Sequence, residues 1–128
     1  MAARKPKTSP FVDRVLGLLL PLGPVHAKAM FGGYGLCLDG TMFALIADDR
    51  LFFKVDDETR AAFAKAGGAP FTYERRTKDG ETRIVTMSYC EAPDGALASA
   101  RRLLPWAERG LAAAKRAARG RAPRERRA

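Results

Sequence analysis

His26, Cys37, Ser88 and Cys90 are the side chains of this sequence that could attack a substrate or hold a metal. A thiol or hydroxyl nucleophile needs a neighbouring base and a third group to orient that base. Cys90 or Ser88 would have to use His26, the single histidine, with an acid such as Asp39, and no motif arranges that meeting. Zinc takes four ligands, so His26, Cys37 and Cys90 would still need a carboxylate, and none of them has the short spacing of a zinc knuckle. The carboxylate runs Asp48-Asp49 and Asp56-Asp57-Glu58 are accounted for by a turn and a helix start. The sequence therefore predicts no catalytic residue, no metal and no cofactor. A small enzyme built on Cys90 or His26 is the minor reading.

Binding chemistry is better represented. Gly32-Gly33-Tyr34-Gly35 has the composition of a phosphate-cradling loop. No Gly-Lys-Ser/Thr follows, however, and the cluster lies between strands, so a bulge or close backbone approach explains it better. Tyr34 is retained as a candidate surface contact. Arg75-Arg76-Thr77-Lys78 and Arg83 flank a turn beside Tyr73, interleaved with Glu74, Asp79 and Glu81. Arg75 and Arg76 are the candidate interaction residues of that hairpin.

The net charge of +9 is unevenly distributed. Residues 1–8 contribute +3, and residues 115–128 contribute +6 through Lys115, Arg116, Arg119, Arg121, Arg124, Arg126 and Arg127 against Glu125. Residues 9–114 balance thirteen cations with thirteen anions. Attraction to phosphate thus belongs to the ends, and those seven C-terminal cations are the candidate nucleic-acid contacts. The segment carries no interleaved aromatic residue, so any such binding would be independent of base sequence.

These residues need elements to carry them. Ser9-Pro10 suits a helix N-terminus, and Phe11, Val15, Leu18, Leu19 and Leu22 share one helical face before Gly23-Pro24 ends it. Strands are expected over 25–31, 34–38, 41–47 and 51–55, with Asp39-Gly40 as a two-residue hairpin turn. In the fourth, Leu51, Phe53 and Val55 share a face while Lys54 points the other way, which predicts a wet second side. Asp56-Asp57-Glu58 opens a helix that stops at Gly67-Gly68. Residues 71–76 and 83–90 form a second hairpin, in which Val85, Met87 and Tyr89 alternate with Thr86 and Ser88. Leu97, Ala100, Leu104, Ala107, Leu111 and Ala114 form the stripe of a last helix, with a kink or joint expected near Pro105 and Trp106. The elements add up to an α+β two-layer sandwich, an antiparallel sheet of five or six strands packed against helices. The expected organisation is a basic arm over 1–8, a folded domain over 9–114 and a disordered basic tail over 115–128.

A chain of 128 residues forms one domain and buries a core without staples. Its longest apolar run, Val15 to Leu22, is broken by Gly17 and Pro21, too short for a membrane span and lacking a signal-peptide cleavage site. Two cysteines within strand-like runs read as buried free thiols, which suits a cytoplasmic protein. The open edges of a small antiparallel sheet make a homodimer one expected assembly.

Met30-Phe31-Gly32-Gly33-Tyr34-Gly35, Asp39-Gly40, Met42-Phe43-Ala44-Leu45 and Leu51-Phe52-Phe53-Lys54-Val55-Asp56 together resemble the TfoX N-terminal domain family. Pro70-Phe71-Thr72-Tyr73, Thr86-Met87-Ser88-Tyr89, Pro93 and Trp106 extend the resemblance over about residues 9 to 114. It implies an α+β domain of bacterial regulators. The best-known members, the TfoX/Sxy regulators of natural competence, act as transcriptional co-activators alongside the cyclic-AMP receptor protein. Those regulators carry a further C-terminal domain where this sequence has its basic segment, so the resemblance is to a stand-alone N-terminal domain. The expected function is a non-enzymatic regulatory module working through protein contacts, with transcription machinery among its expected partners. The alternative is a nonspecific nucleic-acid binder acting through the basic segment.

Overall fold

The computed structural model describes residues 10–30 and 33–127, with side chains described as far as residue 119. The expected arm over 1–8, the Ser9 cap and Phe31-Gly32 lie outside the described residues. Helix α1 (Pro10–Leu18) ends in a 3-10 turn at Leu20–Leu22. Pro21 has no N–H to continue an α-helical ladder, so the chain tightens there and ends at Gly23 (φ 146°). Six strands follow: β1 (His26–Met30), β2 (Gly33–Leu38), β3 (Thr41–Ala47), β4 (Arg50–Lys54), β5 (Pro70–Arg76) and β6 (Thr82–Glu91). Helix α2 (Arg60–Lys65) connects β4 to β5, and α3 (Ala100–Arg127) closes the chain.

The strands make one antiparallel sheet in the order β1-β2-β3-β4-β6-β5. Four sequential strands form a meander, and the β5–β6 hairpin joins it through β6, with β5 at the edge. All three helices contribute to a core on one face of the sheet, as expected for a two-layer α+β fold. Val12, Val15 and Leu19 of α1, Phe63 of α2, and Leu103 and Ala107 of α3 meet Leu36, Phe43, Ile46, Leu51 and Phe53. Phe43 reaches this core through a bulge, since the β2–β3 register shifts between Leu36 and Cys37 and leaves Phe43 without a strand partner.

Both tight turns of the meander are two-residue connections with positive φ. Asp39 (φ 53°) and Gly40 (φ 80°) join β2 to β3 as the sequence suggests, and Asp48 (φ 52°) and Asp49 (φ 57°) join β3 to β4. Aspartate tolerates the left-handed region better than most residues but still carries a steric cost there. Asp49→Gly is therefore expected to stabilise the fold by roughly 0.5–1 kcal/mol, seen as a higher urea midpoint with unchanged slope.

The last helix differs from expectation in three respects. Its break falls at Ser99, between a 3-10 turn (Ala96–Ala98) and α3, and not at Pro105. Ser99 starts the helix, its Oγ and carbonyl both accepting from the Arg102 N–H at 3.2 Å. The buried seam is Leu103, Ala107, Gly110, Ala113 and Ala114, with Leu104, Trp106 and Leu111 half-buried beside it. Finally, α3 continues past Ala114 to Arg127, so the expected domain boundary falls inside a helix. Alanine and arginine are strong helix formers, and they dominate this segment.

Candidate docking face and its flanking charges

The helix-free face of the sheet has its own apolar cluster. Leu45, Phe52 and Tyr89 are buried there, with Met42, Ala47, Phe71 and Met87 packed against them. This corrects the expectation of a wet second side: beside Lys54, Phe52 is only 5 % exposed on that face. Phe71 closes edge-on against Phe52 with ring centroids 4.8 Å apart, and Tyr73 lies 6.3 Å beyond Phe71 along β5. Lys54 stands over the Tyr89 ring at 5.4 Å, and Arg50 grips Glu91 through two hydrogen bonds of 2.6 and 3.0 Å.

A cleft of about 350 Å³ opens on this face. Met30 of β1, Tyr34 of β2 and Leu45 of β3 line one wall, and Phe71, Tyr73 and Met87 of the β5–β6 hairpin line the other. One cleft touching both β1 and β5 requires the two ends of the sheet to curve toward each other across this face. Glycines let the floor come close. A Cβ at Gly33 would overlap the Ile46 carbonyl oxygen, and one at Gly35 would stand 2.6 and 2.9 Å from the sulfurs of Met30 and Met42. Three of the four methionines, Met30, Met42 and Met87, thus gather on this face. Methionine is flexible and polarisable, and surfaces that accept varied apolar partners use it heavily.

The sequence-derived candidates distribute unevenly around this cleft. Tyr34 is half-buried and borders the cleft, but its register opposite Ile46 and its packing against the helix-side core place it on the other face. Arg75 is exposed just beyond Tyr73 on the same face, opposite Arg83, while Arg76, paired with Thr82, is exposed on the other face. Among the C-terminal cations, Lys115 and Arg119 are exposed, while the side chains of Arg121, Arg124, Arg126 and Arg127 lie outside the described ones.

Arg116 does not belong to a free tail. Its Nε donates to Asp56 Oδ2 at 2.6 Å and its second nitrogen to Asp56 Oδ1 at 3.0 Å, with Glu58 at 3.2 Å. The same Asp56 carboxylate accepts the N–H groups of Glu58 and Thr59, and the Thr59 hydroxyl accepts the Asp56 N–H at 3.1 Å. The Arg116 guanidinium holds the Asp56 carboxyl down at a pKa of about 2, with those N–H bonds adding to it against the opposing effect of burial. A residue counted as a DNA contact is thus a brace between α3 and the segment ahead of α2.

The register sets His26 beside Cys37 but leaves Ser88 and Cys90 apart from them. His26 is exposed on edge strand β1, opposite Cys37 on β2. Cys90 sits on β6, with β2, β3 and β4 intervening, which is roughly 19 Å across the sheet at ordinary strand spacing. Burial pushes the Cys90 thiol up, away from the reactive thiolate, and the opposing influence of Arg60 is smaller. Among the described residues no three His, Cys, Asp or Glu side chains group as metal ligands.

Sequence reasoning missed the cleft because it assigned one apolar face to each strand. The signal was present in the unbroken apolar runs Ala44-Leu45-Ile46 and Leu51-Phe52-Phe53, which are apolar on both faces.

A single antiparallel sheet, covered by helices on one side and bearing an apolar cleft on the other, defines a two-layer α+β domain with an accessible sheet face. The chain belongs to the TfoX N-terminal domain family, whose model matches residues 17–114. It is similar to the "DNA transformation protein TfoX1" of Aliivibrio fischeri (strain ATCC 700601 / ES114), with 29% identity over 82 residues. That match covers 64% of this chain and 37% of the relative, so the chain spans little more than a third of that protein's length. The family resemblance read from the sequence is borne out. No helix among the described residues is long and apolar enough to cross a membrane.

Proposed function

We propose that this domain is a non-enzymatic regulatory module that works by binding a protein partner on the helix-free face of its sheet. The observation that carries the proposal is the methionine- and aromatic-lined cleft of about 350 Å³ on a face that no helix covers among the described residues. Contiguous apolar surface on a small domain marks a contact site. The similarity to a DNA transformation protein supports a competence-related setting, and transcription machinery is the partner proposed for it. Edge strands β1 and β5 offer a further route to partners, including a second copy of the chain.

A second reading has its own support, since the whole charge surplus of +9 lies in the two ends of the chain. On this reading the C-terminal cations hold nucleic acid without base specificity. Contacts to about six phosphates would lose roughly a thousandfold in affinity between 50 and 200 mM salt.

One experiment tests both. A photo-crosslinking residue replaces Tyr73 on the cleft or Glu108 on α3, and the proteins are expressed in the native host. The expected result is a discrete protein adduct from position 73, absent from position 108 and lost on Met87→Glu. A chain cut after Ala118, which keeps Arg116, should retain that adduct while losing any retention on DNA at low salt. Adducts that are equal at both positions, or that vanish with the tail, would reject the docking face in favour of the tail.

A further inference from the structure

Beyond the apolar cleft the β5–β6 hairpin carries a pair of like charges face to face. Arg75 and Arg83 are direct cross-strand partners, one register step beyond Tyr73 and Val85 on the same face. Both are exposed, and neither makes an ion pair among the described residues. Like charges directly opposite in a ladder repel, and no carboxylate of the hairpin is placed between these two. Glu74 is on the other face, opposite Ile84, and Asp79 and Glu81 lie at the turn. Of the other cations of the helix-free face, Arg50 pairs with Glu91 and Lys54 stands over Tyr89, while Lys28, opposite Gly35, is exposed without an ion pair among the described residues. Arg75 and Arg83 are thus unmatched cations set directly opposite each other, one register step along the hairpin from Tyr73 of the cleft.

The geometry points to an acidic peptide segment as the ligand of this face, with a large apolar side chain in the cleft and carboxylates between Arg75 and Arg83. This deepens the docking proposal and rests on it. The spacing suits an extended chain: Tyr73 to Arg75 is two strand residues, roughly 7 Å, and Phe71 to Arg75 is four, roughly 13 Å. An extended ligand would therefore carry its acid two to four residues from its apolar anchor. Arginine's planar fork matches a carboxylate in two-point contact, and a carboxylate between the two guanidinium groups turns their repulsion into attraction. A phosphodiester strand would satisfy the arginines too, but it has nothing apolar to place among Met30, Leu45 and Met87. The balanced charge of residues 9–114 also gives it no continuing basic track.

The test selects peptides from a random twelve-residue display library on the intact protein, then measures the winners by fluorescence anisotropy. Binding is mapped through carbon-13 methyl signals of Met30, Met42 and Met87. Selected peptides are expected to combine acidic residues with a large apolar one and to move these methyl signals. Their affinity should fall roughly tenfold or more in the Arg75→Glu/Arg83→Glu variant, and it should weaken as salt rises. Both arginines are exposed, and the unperturbed methionine spectrum of the variant checks its fold. Peptides without acidic residues, or equal binding by the variant, would overturn the acidic ligand while leaving the cleft as a docking site. A selection that yields no peptide moving those methyl signals would overturn both. A twenty-base-pair DNA duplex that displaces the peptides and loses affinity in the same variant would reassign the arginine pair to nucleic acid.

Discussion

Replacing Arg116 with methionine is expected to lower the urea midpoint at neutral pH and to flatten the acid side of the stability profile. Methionine keeps the helix propensity and the apolar stem but removes both charged bonds to Asp56. Asp56 titrates near 2 in the folded chain against an ordinary 3.8. A carboxyl depressed on folding stabilises fully above its unfolded value and loses that contribution as pH falls through its folded value. The wild type should therefore lose stability between about pH 4 and pH 2, while Arg116→Met, already without the brace, loses much less over that window. Urea unfolding at pH 7, 4 and 2.5 reads the difference. Parallel profiles for the two proteins would mean that the bridge is only a surface ornament. The side chains of Arg116 and Asp56 are 29% and 27% exposed, which makes this pair stronger than a fully solvated one.

A larger loss is expected from Gly110→Leu. Gly110 lies in the buried seam of α3 where the helix crosses β3 and β4. A Cβ built there would stand 3.0 Å from Phe53 Cβ, 3.1 Å from its ring and 3.2 Å from the Phe43 carbonyl oxygen. Two of those three atoms are fixed by strand backbone, so a branched side chain can enter only if α3 lifts off the sheet. Overpacking of this kind costs about 3 kcal/mol or more, against the roughly 1 kcal/mol that leaving glycine gains in helix propensity. Gly110→Ala sets the two effects nearly equal and should change stability by less than about 1 kcal/mol. Thermal and urea unfolding of the pair decide it. A leucine variant as stable as wild type would show that α3 does not press on the sheet at this point.

Much of the fold was legible because local chemistry and tertiary structure agree. Asp39-Gly40 specifies a two-residue turn with positive φ at both positions, and the structure has one. β3 runs over Thr41–Ala47 as read, and the other strand ends move by at most one residue. The hydrophobic spacing of α3 was readable, but its seam was not. Gly110 carries no hydrophobic signal, yet it lies at the centre of the contact because it is small. Pro105 suggested a joint, while the actual break follows from Ser99, which caps a helix start. The site was less legible than the fold. Tyr34, Arg75 and Arg76 were chosen by type alone, and Arg75 became informative only when the register set it opposite Arg83. Arg116 was misread because sequence distance concealed Asp56, sixty positions away.

The β5–β6 hairpin is attached to the rest of the sheet along a short seam. β4 and β6 pair only through Phe52–Glu91, Phe53–Cys90 and Lys54–Tyr89, extended by the bond from the Val55 N–H to the Ser88 carbonyl. Outward of Ser88, β5 is the one strand paired with β6, so that end of the sheet is a two-stranded arm whose angle to the meander the ladder fixes weakly. Anything lodged between Met30 and Phe71 would touch both parts at once. Occupancy would then act as a clasp, setting the tilt of the arm and slowing amide exchange at the β4–β6 joint.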